Sequence, residues 1–129
     1  MVAALAGCSS QAVLRCESGQ RLQFHDLLYF GTSRGDGGQH TVTTAEWNVF
    51  LGEVLTRHFP DGLTVLTGTG QWRSSSGAIV REGSHVLSLV HPGTPETETS
   101  ITAAVEAYKT TFNQESILRV RSPACVAFL

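Results

Sequence analysis

The run Arg57-His58-Phe59-Pro60-Asp61-Gly62-Leu63-Thr64-Val65-Leu66, continuing to Gly70-Gln71-Trp72, constrains the fold more than any other part of the chain. It spells a helix exit, a tight turn and a strand in consecutive residues. Pro60 has no amide to donate and pushes Phe59 out of helical space, so a helix arriving from the N-terminal side must stop there. Asp61-Gly62 supplies the turn, and a strand runs from Leu63 to Trp72.

The flanking elements follow from that anchor. Thr43-Thr44-Ala45-Glu46 opens the helix with a reciprocal capping box, and Trp47, Phe50, Leu51, Val54 and Leu55 form its apolar stripe. His58 sits at its end, where the helix dipole favours a cation, a structural role rather than a catalytic one. Upstream, Leu22 to Gly31 reads as a first strand, apolar on both faces, closed by the loop Gly35-Asp36-Gly37-Gly38. Downstream, Ile79 to His91 is a third strand, joined to the second by a hairpin loop at Ser74-Ser75-Ser76-Gly77. Thr94-Pro95 starts a second helix with Ile101, Val105, Tyr108 and Phe112 as its stripe. Ser116 to Val120 is the fourth strand, which Pro123 interrupts, leaving Cys125 to Phe128 as an edge or a separate segment. The order β-α-β-β-α-β predicts an α+β, ferredoxin-like domain: a four-stranded antiparallel sheet with both helices on one face and the other face open. It occupies residues 20–129, after a leader and tether over residues 1–19.

With 129 residues and 41% hydrophobic content there is room for one domain with a real core. The net charge of −2 gives no electrostatic reason to expect nucleic acid or an anionic membrane as partner. No apolar run approaches the roughly 18 residues that span a bilayer. Leu5-Ala6-Gly7-Cys8-Ser9 resembles the lipobox of bacterial lipoproteins, in which the Cys is acylated, so Cys8 is a lipidation candidate. The stretch before it is too brief for a working signal peptide, so either the box belongs to a longer precursor or the match is chance. If Cys8 carries lipid, Cys16 and Cys125 remain as a pair, which reads as a disulfide in an exported protein; the alternative is two buried thiols in a cytosolic one.

Motifs that carry chemistry are weak. Gly31-Thr32-Ser33-Arg34-Gly35 matches the nucleophile elbow G-x-S-x-G, but the elbow needs a helix directly after the turn, and here a loop runs on to Thr43. Arg34-Gly35-Asp36 resembles an adhesion tripeptide in a glycine-rich loop. Gly68-x-Gly70 lacks the third glycine and the following helix of a dinucleotide site. His85 and His91 share a strand face but lie roughly 20 Å apart at strand rise, so they cannot hold one ion. No cofactor or metal site is expected. A four-residue hairpin loop would pair Gln71 with Val80, Thr69 with Glu82 and Thr67 with Ser84. Thr67, Thr69, Gln71, Glu82 and Ser84 then share a face, and Gly68 and Gly70 lie under the helices. That polar set on the open face is the ligand-binding candidate, set against a merely solvated sheet face.

Leu28-Tyr29-Phe30-Gly31, Glu46-Trp47 with Phe50, Phe59-Pro60-Asp61-Gly62-Leu63-Thr64-Val65, Gly70-Gln71-Trp72, Arg81-Glu82, Tyr108-Lys109, Phe112, Gln114-Glu115-Ser116 and Cys125-Val126 together resemble domain-of-unknown-function family 3574. These are short exported bacterial proteins, often lipoprotein-like. The family's usual Pro-Arg-Phe-Pro reads Arg57-His58-Phe59-Pro60 here. The resemblance implies an exported protein, periplasmic or lipid-anchored to the envelope, and brings no known reaction, cofactor or partner. With no catalytic constellation identifiable, the chain reads as a small envelope module that binds a ligand or protein through the open face. The alternative is a small enzyme of the dimeric α/β-barrel type with a pocket between sheet and helices. Expected partners are a second copy and a small ligand or envelope protein. The first strand carries Leu22, Phe24, Leu28 and Phe30 on one side and Leu27 and Tyr29 on the other, and whichever set the helices leave open is the expected self-association surface. Membrane contact is expected only through a lipid on Cys8.

Overall fold

The computed structural model describes residues 12–35 and 40–129. Strand β1 (Arg21–Gly31) is followed by α1 (Thr44–Phe50), which continues through a π-helical stretch (Leu51–Leu55) into α2 (Thr56–His58) as one helical rod. Strands β2 (Thr64–Arg73) and β3 (Ile79–His91), helix α3 (Pro95–Phe112) and strand β4 (Leu118–Val126) complete the domain. The sheet order is β2-β3-β1-β4 with every neighbouring pair antiparallel, the ferredoxin-like arrangement.

The helix boundaries lie where the local chemistry puts them. The Glu46 amide donates to Thr43 Oγ1 at 3.2 Å, and the Thr43 amide donates to a Glu46 carboxylate oxygen at 2.9 Å. The rod stops at His58, two residues before Pro60, with Phe59 as its cap. Helix α3 starts on the Thr94 cap with Pro95 in its first turn and ends at Asn113, which takes the left-handed conformation. Both helices bury their apolar sides on one sheet face. Leu28, Phe30, Leu87 and Leu89 meet Trp47, Phe50, Leu55, Ile101, Tyr108 and Phe112 there. Phe30 stands edge-on to Tyr108 with ring centroids 4.8 Å apart.

Two expectations fail, each for a definable reason. The hairpin pairs Arg73 with Ile79 and Gln71 with Arg81, one residue away from the expected register. Ser74 donates to the Ala78 carbonyl and Gly77 takes φ +86°, so the loop holds three residues and ends on a left-handed glycine. A one-residue slip sends every side chain to the other face. Thr67, Thr69, Gln71, Glu82 and Ser84 therefore do not share a face. Glu82 and Ser84 pair with Gly70 and Gly68 on the open side, while Gln71, Thr69 and Thr67 pair with Arg81, Gly83 and His85. His85 stacks on Trp47 of α1, which fixes that second set as the helix side. Pro123, second, does not end β4: it pairs with Phe24 within the strand. An edge strand uses only one of its hydrogen-bonding edges, so a residue without an amide is tolerated there.

Cys16 and Cys125 form a disulfide with Cα atoms 5.3 Å apart, tying the segment before β1 to the end of β4. Cys8 lies outside the described residues.

Candidate functional site

The open face is built from the alternate residues of all four strands. Tyr29 faces Val86 and Leu118, and Gly31 faces Ser84. Toward the end of β1 this face sinks into a cavity of about 370 Å³, bounded by Tyr29, Trp72, Glu82, Ser84, Leu118 and the residues after α3. That volume falls within the range of small-molecule sites.

Glu82 is its fixed point. One carboxylate oxygen accepts from Trp72 Nε1 at 2.7 Å and the other from the Ser33 amide at 2.6 Å. The carboxylate reaches over Gly31, where a Cβ would stand 2.5 Å from it. Only glycine leaves the acid that position. Tyr108 donates its hydroxyl to the Gly31 carbonyl at 2.8 Å, and burial pushes that phenol well above its ordinary range. Gln114 donates to the Ser33 carbonyl, which brings the loop after α3 against the same turn. The cavity wall is thus pinned from β1, β3 and α3 at once.

The floor has no side chains at Gly68 and Gly70. Neither takes a positive φ, and a Cβ added to either would meet no atom within 4 Å. Backbone geometry and internal crowding therefore do not require glycine there. Each one costs roughly 0.5–1 kcal/mol relative to Ala in a strand. Glycine of this kind often marks the close approach of a ligand or another backbone.

Of the residues expected from sequence, Glu82 and Ser84 line the cavity directly. Thr69 and Gln71 border it from the β2 edge, and Thr67 does not reach it. The glycines, expected beneath the helices, are on the open side. Tyr29, Trp72 and Leu118 were not grouped with Glu82 by sequence reasoning, because the pairing of β1 with β4 carries no local signal. Ser33 of the elbow-like motif leads into a bridge with Thr41 rather than a helix, so its turn is not a nucleophile elbow.

A second polar constellation lies on the helix side and was not foreseen. Asp26 is fully buried in β1. It accepts from His91 Nε2 at 2.7 Å, from Arg119 at 2.6 Å and from Arg121 at 2.9 Å. Glu98 of α3 bonds the same two guanidinium groups. Burial alone would raise the Asp26 carboxyl, but the hydrogen bonds from Arg121, Arg119 and His91 outweigh it and hold it far below the usual carboxylate range. Hydrogen bonds from Arg119 and Arg121 lower Glu98 to about 2. Gly93 donates its amide to His91 Nδ1 at 3.0 Å, so the proton of the neutral ring sits on Nε2 and neither nitrogen is free as a base. Ligand atoms of Asp26, His91 and Glu98 lie within 4.8 Å of one another. A cation there would have to displace two guanidinium groups that already neutralise both carboxylates. The cluster is built as a clamp between β1, β4 and the first turn of α3. Its sequence signal was a lone Asp in an apolar strand, which demands buried counter-charge.

The site and topology define a ferredoxin-like α+β domain with an open-face cavity. Residues 25–128 match the family model "Protein of unknown function (DUF3574)", and the chain belongs to that family. No curated protein matches the sequence. Among solved structures it is similar to a phage SAM lyase in complex with S-methyl-5'-thioadenosine, at 17% identity, covering 92% of this chain and 97% of that one with a TM-score of 0.57. A phage SAM lyase in the apo state gives 16% identity, coverage of 91% and 97%, and a TM-score of 0.55. CutA from Synechococcus elongatus complexed with Bis-Tris follows at 12% identity, coverage of 81% and 83%, and a TM-score of 0.49. At these identities the likeness is one of fold.

Proposed function

We propose that the protein is an exported binding module. It takes a small ligand in the open-face cavity and pairs with a second copy across the rest of that face. The observation that carries the ligand site is the arrangement at Glu82: a carboxylate held by neutral donors, walled by Tyr29 and Trp72, above glycines that the fold itself does not need. The disulfide supports export, since such bonds persist in oxidising compartments. A lipid on Cys8 would then serve as the membrane anchor. The enzyme reading needs a pocket between sheet and helices, and Phe30, Trp47, Phe50 and Tyr108 fill that layer.

The test is NMR of the indole and amide N–H groups during a screen of small aromatic and aliphatic fragments. S-methyl-5'-thioadenosine is included as the ligand found on the phage lyase. Binding at the cavity shifts Trp72, Gly68 and Gly70 together and leaves the buried Trp47 unmoved. Fragments that move other regions and never Trp72 would overturn the assignment. Turnover of SAM would transfer the protein to the enzyme class.

A further inference from the structure

We infer that the open-face cavity selects an organic cation with a flat or apolar body, a refinement that rests on the cavity being a ligand site. Two of its lining residues, Glu82 and Glu115, carry negative charge, and none is Lys, Arg or His. Among the described residues Glu82 has no ion-pair partner. Its two hydrogen bonds come from an indole N–H and a backbone amide, both neutral. Each carboxylate oxygen keeps a further acceptor position for a ligand donor.

The aromatic walls add to the same preference. The Trp72 N–H is spent on Glu82, so the indole offers the cavity its ring rather than a donor. Tyr29 supplies a second ring beside it. A cation over such rings is attracted by their negative faces, and more so where water is partly excluded. An anion would meet an unneutralised carboxylate at short range and be repelled. The half-buried floor at Gly68 and exposed Gly70 lets the ligand body lie against the backbone. A quaternary or protonated amine on an aromatic or alicyclic body meets all three features: charge, rings and floor.

The probe is benzyltrimethylammonium, compared with its uncharged analogue in which carbon replaces the quaternary nitrogen. Binding is followed by calorimetry and by the Trp72 indole resonance in the wild type, Glu82→Gln and Gly70→Ala. The cation is expected to bind about tenfold more tightly than the analogue, a gap that Glu82→Gln closes. Gly70→Ala is expected to match or exceed the wild-type thermal midpoint, because its Cβ meets open space and a strand glycine is itself destabilising, and to weaken both probes. If Glu82→Gln fails to fold, added salt takes its place: weakening of the cation alone supports the inference, and no change opposes it. Equal binding of both probes with Trp72 shifting overturns the cation preference and leaves the ligand site standing. Trp72 unmoved by either probe and by the whole fragment screen overturns both.

Discussion

At the residue scale, the most consequential side chain outside the cavity is Asp26. A buried carboxylate inside a hydrophobic strand is tolerable only because three donors converge on it. Replacing Asp26 with Ala removes the buried carboxylate of the cluster and leaves Arg119 and Arg121 with Glu98 alone. Unfolding midpoints in urea should show a loss of about 3 to 5 kcal/mol at neutral pH. The pH dependence has a definite sign. Both carboxylates are lowered in the folded state, so their contribution is present above the unfolded pKa and is lost as pH falls through the folded one. For Glu98 that window runs from the ordinary 4.5 down to about 2. Urea midpoints measured across it should fall less steeply for Glu98→Gln than for the wild type. A wild-type slope in the variant would mean that Glu98 carries no linked stability.

At the element scale, the hairpin turns on one torsion. Gly77 takes φ +86°, and that single left-handed residue decides whether Glu82 faces the cavity or the helices. Gly77→Val should cost about 1 to 2 kcal/mol of stability, since a β-branched residue is strained there. Cross-strand NOEs will show whether the Gly70–Glu82 pairing survives it. This position also shows what could be read in advance and what could not. Helix starts and stops depend on groups a few residues apart, such as Thr43 with Glu46 and the block at Pro60, so sequence specifies them locally. All four strands and both helix stripes were legible for that reason. Register depends on whether a Ser-Ser-Ser-Gly loop closes over three residues or four, a difference too small for composition to decide. That one residue inverted the predicted face and put the glycines on the wrong side. Pro123 misled similarly, because its cost depends on whether β4 has one neighbour or two.

At the scale of the whole molecule, two features act over distances no local pattern describes. The Cys16–Cys125 bond joins residues 109 apart in sequence and anchors the N-terminal segment to edge strand β4. In the chain-entropy account a loop of that length stabilises by roughly 4 to 5 kcal/mol, so reduction should lower the urea midpoint with little change in the fold. The other feature is the open face itself. Leu66, Val90, Leu118 and Val120 are each 44% exposed or more, and all four stand on the side away from the helices. Contiguous apolar surface of this kind usually marks an interface. Sheet faces can stack at about 10 Å with interdigitating side chains, a geometry that suits β-branched and Leu residues. Sedimentation at high micromolar concentration is therefore expected to show a concentration-dependent dimer. Val120→Lys sets a charge on the β4 side of that surface, away from the cavity lining, and should yield a monomer with an unchanged circular dichroism spectrum. A wild-type protein that stays monomeric throughout would leave the apolar face without a second copy to cover it and would end the pairing proposal, while the cavity at its far end would remain a separate question for the fragment screen.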